Sequence, residues 1–402
     1  MISDQDLRRW GVHQPERVRA LLDESGLVIE DLGHALDKCA DIEQFALVCA
    51  RAASQCPQLI QDLNSDAEAA CRFAAVVGFS SWWGDYLLQH PDFLTMPPPP
   101  CGLGMVDYLR QALPQGWEEY ADEDSNAWSF AACSMRSAYR RALFEIVADD
   151  LLSPDPCAPQ HFQSVARRIS DLADAALAGA LYIAQCLEDR LRQIPLCVIA
   201  MGKTGGEELN YISDVDVMYV LGDSPDDHNG GELQTAEMLE RATKMANIIN
   251  AVCSSPASEA PLWSVDANLR PEGRDGALVR TLDSFHSYWK RWAQNWEFQA
   301  LLKARPCAGD QRTGEEFLRL ASPFIWEASA RDGFVDDVRS MRVQVERSVP
   351  EKNRDQELKL GVGGLRDIEF SIQFLQLVHG RNDDRIRQRS TLDALDALSA
   401  EG

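Results

Sequence analysis

The hydrophobic period of the chain changes at Pro195, and this change constrains the fold more than any other feature of the sequence. The run LCVIAM at 196–201 is apolar throughout, as in a strand buried on both faces, and VDVMYVL at 215–221, apolar except for Asp216, predicts a second strand. Between them, GKTGGEELNYISD at 202–214 predicts a glycine-rich turn and a short helix. Two buried strands joined in this way predict the centre of a small sheet.

Two further segments extend this unit. A helix is predicted from about Leu233 to Val252, where apolar residues recur every three or four positions. The segment LWSVDANLR at 262–270 then predicts a third strand, on which Asp266, Asn268 and Arg270 would alternate onto one face. The unit is therefore predicted to be a mixed sheet with helices.

Apolar residues at helical spacing dominate on both sides of this unit. The following segments are predicted to be helical: 40–95, 125–152 and 165–187. Breaks are predicted at the prolines 97–100 and in SPDPCAP, where residues 153–160 form a loop. The fold class is therefore predicted to be α+β, with the sheet unit embedded in mostly helical regions. We predict this division: a helical N-terminal region at 1–152, the domain with the sheet at 153–282 and a helical C-terminal region at 283–402.

The helical pattern beyond Arg280 includes a stripe of four large aromatic residues: Phe285, Trp289, Trp292 and Trp296. Such a stripe offers rings on which an adenine base could stack. Large aromatic residues at helical spacing more often fill a core. We therefore predict that these residues pack inside the protein and leave them out of the site.

Composition excludes several classes of protein. The 402 residues suffice for two or three domains, and the formal charge of −24, from 39 basic and 63 acidic residues, disfavours extended contact with DNA or RNA. The first twenty residues have no apolar core of a signal peptide, and no run approaches the roughly 18 apolar residues of a membrane span. Eleven cysteines without a C-x-x-C motif suit a reducing compartment, so we predict a cytoplasmic protein without nucleic-acid or membrane partners.

Two carboxylates mark the start of the second strand. Asp214 and Asp216 lie two residues apart, so their side chains point to the same side of the sheet and repel each other unless a cation lies between them. Hard divalent ions such as Mg²⁺ take carboxylate and phosphate oxygens as ligands. Asp266, from the third strand, would complete a site for phosphoryl transfer. All three are predicted catalytic residues and metal ligands. A bare D-x-D is usually a solvated turn, so this prediction depends on the neighbouring strands and glycines.

The glycine-rich turn is the predicted phosphate-binding element. Glycine at 205 and 206 lets the backbone approach a phosphate with free amides, and Gly202 and Lys203 belong to the same turn. The G-x-x-x-x-G-K-[ST] spacing of a P-loop is not met. Arg270 is predicted to meet a phosphate oxygen, and Asn268 shares its face of the predicted third strand.

Three blocks resemble one known family: MGKTGGEELNYISDVDVMYV at 201–220, VDANLRPEGRDGALV at 265–279 and KLGVGGLRDIEFSIQFLQLVHGR at 359–381. They look like the bifunctional glutamine synthetase adenylyltransferase and adenylyl-removing enzymes, and weaker likeness extends over nearly all of residues 40 to 390. The resemblance implies a polymerase beta-like nucleotidyltransferase domain whose acidic triad falls on Asp214, Asp216 and Asp266. It also implies Mg²⁺ or Mn²⁺ as the metal.

The family protein has two such domains in tandem, and this chain has one copy of the block and ends in a helical pattern that stops short, so it resembles the first half. That half removes AMP from a tyrosine of glutamine synthetase: inorganic phosphate attacks and ADP leaves. The implied partners are glutamine synthetase, a nitrogen-regulatory signal protein, phosphate and adenine nucleotides. Two positions depart from the pattern, since Thr204 replaces a larger apolar residue and Glu207 a frequent basic one.

The third block contains a helix with one polar stripe: Arg366, Glu369, Gln373 and Gln376. Spacing alone favours a solvated helix face, whereas the resemblance implies that the stripe faces the cleft. On that interpretation Arg366 holds phosphate, Asp367 or Glu369 positions it, and Lys359, which leads into the helix, is a further candidate site residue.

Two alternatives stay open at this point. The same triad would serve addition of AMP from ATP to glutamine synthetase, because only accessory contacts select the direction of transfer. The chain would otherwise be a catalytically silent module that binds a nucleotide or a signal protein.

Overall fold

The computed structural model describes residues 3–28, 32–99, 104–120, 127–187, 189–223, 232–347 and 349–400. The described residues form mostly helices and one small mixed sheet, which confirms the predicted α+β class. The residues pack into two units, one of Met1–Gly104 with Ser137–Arg168 and the other of Met105–Arg136 with Ile169–Gly402. The division after residues 152 and 282 stays a prediction. None of the described helices is long and apolar enough to cross a membrane.

The first unit begins with short helices: α1 (Asp4–Arg9), α2 (Pro15–Ser25), α3 (Leu32–Asp37), α4 (Ile42–Gln55), α5 (Pro57–Ser65), α6 (Ala67–Phe79) and α7 (Ser81–Gln89). Their starts follow from local chemistry. Proline occupies the first position of α2 and α5, while the Asp41 and Asp66 carboxylates cap α4 and α6. The rings of Phe45 and Phe73 meet edge to face inside this bundle, so the predicted helical character of 40–95 is confirmed.

Three helices lead to the sheet: α8 (Met105–Gln111), α9 (Ala127–Leu151) and α10 (Pro159–Cys186). The last two confirm the helices predicted within 125–152 and at 165–187. Pro159 starts α10, because proline is favoured in a first helical turn, so the predicted loop ends before residue 160. Residues 125 and 126 of the predicted second helix, and the last of the four prolines, lie outside the described residues.

The sheet of the second unit has these strands: β1 (Leu196–Ala200), β2 (Val215–Leu221), β3 (Val265–Asp266), β4 (Val279–Thr281) and β5 (Arg305–Gly309). The order is β3-β2-β1-β5, and β4 pairs with β2 beyond the end of β3. β1 is antiparallel to β2 and β5, whereas β3 and β4 are parallel to β2. The end of β1 therefore lies beside the start of β2, joined by the short helix α11 (Gly202–Gly205), and α12 (Glu232–Ser254) follows β2.

The prediction of a third strand over 262–270 is correct only at its centre and wrong on both sides of it. Strand geometry is confined to Val265–Asp266, because the Asp266 carboxylate accepts the amide of Asn268 at 2.7 Å and turns the chain away. Asn268 and Arg270 therefore do not alternate with Asp266 on a strand face. β4 and β5 were not predicted at all.

Helices complete the second unit: α13 (Leu282–Arg291), α14 (Asn295–Leu301), α15 (Gln311–Glu327), α16 (Phe334–Arg347), α17 (Leu365–His379) and α18 (Thr391–Ala400). One face of the sheet, with Ile199 and Met218, packs in a common core with Phe285, Phe298 and Phe317. On β2, the Tyr219 hydroxyl is 2.6 Å from Asn250 Oδ1 of α12. Because β1 is covered in this way, all five of its residues are buried.

Of the four aromatic residues of the stripe, the first two belong to the buried core. Phe285 and Trp289 are buried, as predicted, and their ring centroids lie 5.5 Å apart. The prediction is wrong for Trp292, which is 73% exposed. Its position explains this, since α13 ends at Arg291 and Trp292 leaves the helical register that the stripe requires.

Candidate active site

Two of the predicted acids lie side by side at one end of the sheet. Asp216 of β2 and Asp266 of β3 are direct partners in the parallel register, so both side chains project from the same face. Asp214 is exposed and lies two residues earlier, just before β2 begins. The turn between β1 and β2 starts at the same end. The structure thus brings Asp214 and Asp216 close to Asp266, which lies some fifty residues later in the sequence.

These carboxylates influence one another. Burial raises the pKa of Asp216, and the negative charges of Asp266 and Asp214 raise it further, to about 6. The cations Lys359 and Arg366 act on Asp216 in the opposite direction. Negative charge is therefore concentrated at Asp216, with positive charge close by.

The donor set suits a hard divalent cation. Among the described residues, no group of three or more acid, histidine or cysteine side chains is arranged so that it could hold a metal ion without other ligands. Mg²⁺ commonly takes only one or two carboxylates and completes its shell with water and substrate phosphate. The mutual repulsion that raises the pKa of Asp216 is what a bound cation would relieve. The chemistry of Asp214, Asp216 and Asp266 therefore fits Mg²⁺ or Mn²⁺.

The turn after β1 packs directly on the triad. Gly202 has a φ of +52°, and a Cβ at this position would collide with the carboxylate of Asp216. A main-chain hydrogen bond also holds the turn close to β2, because the Met201 amide donates to the Asp216 carbonyl at 2.9 Å. Only glycine meets both demands, the left-handed backbone and the close approach.

The amides of Gly205 and Gly206 do not have the freedom that the sequence suggested. They donate to the carbonyls of Met201 and Gly202 at 2.8 and 3.1 Å, as expected inside a helical turn, so the expectation of free amides is wrong. Position 205 requires glycine for a different reason. A Cβ there would collide with the main-chain oxygen of Lys303, which packs against the turn.

Three predicted basic residues lie within electrostatic reach of one another. Burial lowers the pKa of Lys203, and the charges of Lys359 and Arg366 lower it as well. The Lys203 ammonium group donates to Asn210 Oδ1 at 3.2 Å. Because Lys359 and Arg366 also act on Asp216, this basic cluster of Lys203, Lys359 and Arg366 lies within electrostatic reach of Asp216. Mutual repulsion among the three cations favours binding of an anion.

Arg270 and Asn268 serve the loop after β3. The Arg270 guanidinium donates to the carbonyls of Ala267, Arg274 and Gly276 at 2.8, 3.2 and 3.0 Å. The Asn268 amide is held by Asp266, as described above. In this structure both residues shape the segment that carries Asp266, and contact of Arg270 with phosphate stays a prediction.

The stripe on α17 is not a solvated face. Gln373 and Gln376 are buried, and Gln376 Nε2 donates to the carbonyls of Ile386 and Gln388. Glu369 is paired with Arg366 at 3.3 Å and with Lys303 at 2.7 Å. The interpretation of this stripe as a solvated helix face is therefore wrong.

Asp367 lies near the start of the same helix and holds the loop before it. Its carboxylate pairs with Arg342 and accepts the Gly363 amide at 2.6 Å. These contacts lower the pKa of Asp367, with the hydrogen bond from Arg342 as the largest cause. A direct role of Asp367 toward phosphate stays a prediction.

Sequence reasoning missed Lys303, a buried cation between α14 and β5. Its ammonium group donates to Glu208 and Glu369, both at 2.7 Å, and to Thr391 Oγ1 at 3.1 Å. The signal was present, because the run FQALLKA at 298–304 places one charge among buried apolar residues. A buried charge in such a run requires partners.

The two departures from the family pattern are accommodated. Glu207 adopts a φ of +58° and lies 3.6 Å from Arg305 Nε, so its charge faces a cation. The Thr204 side chain is buried, and its hydroxyl has no hydrogen-bond partner among the described residues. The Thr204 carbonyl accepts a hydrogen bond from Arg305 at 3.0 Å. Arg305 thus supports the turn at both positions.

Comparison with known proteins gives a consistent result. The family model described as glutamate-ammonia ligase adenylyltransferase matches residues 70–320, and the model described as GlnD PII-uridylyltransferase matches residues 339–402. Three relatives share the name bifunctional glutamine synthetase adenylyltransferase/adenylyl-removing enzyme. The protein from Bifidobacterium longum (strain DJO10A) is 39% identical over 100% of this chain, and that from Cutibacterium acnes is 41% identical over 93%. The protein from Streptomyces avermitilis is 45% identical over 82% of the chain.

The chain spans 38%, 38% and 31% of the length of these three relatives. The first family model nonetheless covers more than half of the chain, including the glycine turn, the three acids and all five strands. The chain belongs to the glutamate-ammonia ligase adenylyltransferase family.

Proposed function

We propose that this chain removes AMP from an adenylylated tyrosine of glutamine synthetase by metal-dependent phosphorolysis. The observation that carries the proposal is the register of β2 and β3, which aligns Asp216 with Asp266, while Lys359 and Arg366 of the basic cluster lie within electrostatic reach of Asp216. Carboxylates beside cations can bind a phosphate and a metal together, and phosphoryl transfer requires little else of a protein. The names of the relatives, which include an adenylyl-removing activity, support this choice.

The reaction forms one bond and breaks one. An oxygen of inorganic phosphate attacks the α-phosphorus of the tyrosyl-AMP, the bond from that phosphorus to the tyrosine oxygen breaks, and ADP and a free tyrosine hydroxyl result. Lys203, Lys359 and Arg366 would bind the attacking phosphate and reduce its repulsion from the AMP phosphate. Gly202 keeps the turn close to Asp216, so that the nucleotide has a fixed wall on this side.

Asp214, Asp216 and Asp266 would hold Mg²⁺ or Mn²⁺. When bound, the cation would neutralise charge on the phosphate oxygens and on the departing tyrosine oxygen. The rest of the proposal concerns side chains of this chain: Asp216 and Asp266 aligned in the strand register, the three cations of the basic cluster near one another, and the pair of Glu369 with Arg366.

The proposal also covers the fold of the sheet unit, the substrates and the signalling partner. We assign the sheet unit to the polymerase beta-like nucleotidyltransferases and the chain to the adenylyl-removing N-terminal half of the longer relatives. Adenylylated glutamine synthetase would be the protein substrate, with inorganic phosphate and adenine nucleotides as small ligands. The match of residues 339–402 to a PII-uridylyltransferase model supports a link to a nitrogen-regulatory signal protein.

The test is the product released from adenylylated glutamine synthetase. With phosphate and Mg²⁺, the chain should release ADP, and Asp216→Asn and Asp266→Asn should abolish the release. Asp283→Asn is a matched control, because Asp283 is an exposed acid at the start of α13. Near-normal ADP release by either site variant would refute the assignment.

The same assay separates the rival functions. AMP as the product would mean hydrolysis. Transfer of label from ATP to unmodified glutamine synthetase would favour adenylyl addition. Nucleotide binding without any product, with either metal, would favour a silent regulatory module.

A further inference from the structure

Lys303 connects three separate parts of the site. It lies between α14 and β5, and its side chain is 5% exposed. Its three ammonium protons have three acceptors, which come from the glycine turn (Glu208), from α17 (Glu369) and from the start of α18 (Thr391). A buried ammonium group with all its protons bonded holds its partners in one geometry.

The main chain of Lys303 contacts the turn as well. Its carbonyl oxygen lies where a Cβ on residue 205 would be, and its Cδ lies 3.2 Å from the position of a Cβ on Gly206. Glu208, at the end of the same turn, also accepts the amide and the hydroxyl of Thr391. Lys303 is therefore in contact with the turn through both its backbone and its side chain.

The charges in this region alternate. Glu369 uses Oε1 for Lys303 and Oε2 for Arg366, so one carboxylate links a buried cation to a cation of the basic cluster. Burial by itself would lower the pKa of Lys303, but the charges of Glu369 and Glu208 raise it above its ordinary value. Lys303 is thus charged at neutral pH, and Glu369 cannot turn wholly toward Arg366 while Lys303 holds its other oxygen.

We propose that Lys303 is a positioning residue, which acts through Glu369 to set the place of Arg366 near Asp216. Lys303 does not touch the reacting groups. This inference deepens the proposed function, on which it rests, by naming the residue that fixes a phosphate-binding cation. Without Lys303, Glu369 Oε1 keeps the long hydrogen bond from Gln373 Nε2 at 3.4 Å, which is weaker than the lost ion pair. Glu369 can then turn toward Arg366 with both oxygens and draw Arg366 away from the phosphate.

The experiment measures binding of ADP, because ADP carries the phosphate that Arg366 would hold and no turnover is required. Calorimetry with ADP and MgCl₂ is done on the full chain and on Lys303→Met, Lys303→Arg, Arg366→Gln and the double variant Lys303→Met/Arg366→Gln. We expect Lys303→Met to weaken ADP binding about tenfold and Lys303→Arg to restore most of it. In the Arg366→Gln background, Lys303→Met should have no further effect, since the two residues act as one unit.

Arg136→Met supplies the matched control. Arg136 is also a buried cation, but its guanidinium donates to carbonyls at the end of α12 and to the Glu259 carbonyl. Any effect of this variant on ADP binding should add to that of Arg366→Gln. If Lys303→Met does not fold by thermal melting, Lys303→Met/Glu208→Gln removes one buried anion together with the cation, and the same loss of ADP affinity is expected.

Three results would overturn the inference: unchanged ADP affinity in Lys303→Met, additive losses in the double variant with Arg366→Gln, or no ADP binding by the unmodified chain. Failure of the proposed function has a different signature. In that case the unmodified chain binds ADP but releases none from adenylylated glutamine synthetase, and the coupling of Lys303 to Arg366 still stands on the binding data.

Discussion

Gly202→Ala separates the two reasons for glycine next to the catalytic acids. The alanine Cβ would lie 3.1 Å from the carboxyl carbon of Asp216 and less than 3.0 Å from Oδ2, whereas ordinary contacts begin at 3.4 Å. The carboxylate must move by about 1 Å, a displacement that costs on the order of 100-fold in rate when a reacting group is misplaced. The left-handed backbone at φ +52° adds a loss of stability of roughly 1–2 kcal/mol.

Gly333→Ala isolates the backbone contribution. Gly333 has a φ of +77°, with nothing within 4 Å of the Cβ position, and lies just before α16, outside the site. It should lose the same roughly 1–2 kcal/mol of stability as Gly202→Ala but retain its activity. Thermal melting measures the first quantity, and ADP release from adenylylated glutamine synthetase measures the second. Our reasoning is refuted if Gly202→Ala keeps most of its activity, or if both variants lose activity equally.

Three further changes test the packing around the site. Arg136→Met removes the hydrogen bonds to the end of α12, so we expect about 3 kcal/mol of lost stability in denaturant unfolding. Burial acts to raise the pKa of Glu369, but the charge of Lys303 outweighs burial, so the pKa is lowered below its ordinary value. The pair of Glu369 with Lys303 therefore stabilises the fold at neutral pH, and this stabilisation is lost as the pH falls through the lowered pKa. Glu369→Gln should therefore reduce stability at pH 7 and flatten the acid limb of the stability profile; an unchanged limb would contradict this. Trp289→Ala should cost about 3–5 kcal/mol and Trp292→Ala almost nothing, because only the first ring is buried.

The parts of the fold that were predictable from sequence have strong local signals. β1 is an uninterrupted apolar run of five residues, β2 is a run of seven that is apolar except for Asp216, and α10 and α12 keep their apolar spacing over many turns. β3 and β4 have two and three residues, which is too short for any alternation to be visible. Their pairing with β2 is a long-range contact, so it cannot be predicted from the local sequence pattern.

The site divides in the same way. Asp214 and Asp216 are recognisable because two acids open a buried strand, and Asp266 is recognisable by resemblance. The position of Arg366 near these acids, and its link to Lys303 through Glu369, depend on how α17 packs in the second unit. Spacing on α17 could not distinguish a cleft-facing stripe from a solvated one, because both leave polar residues at intervals of three and four.

The short length of β3 has a consequence for how this protein would lose function. Two residue pairs join β3 to β2, and the flanking segments are held by Arg136 through the Glu259 carbonyl and by Arg270 within the loop. Such a segment can open locally at a lower free energy than the rest of the sheet. Opening would carry Asp266 away while β1, β2 and β5 stay paired. Inactivation by heat would then precede global melting, and engineering for durable activity should first reinforce residues 255–276 rather than the core.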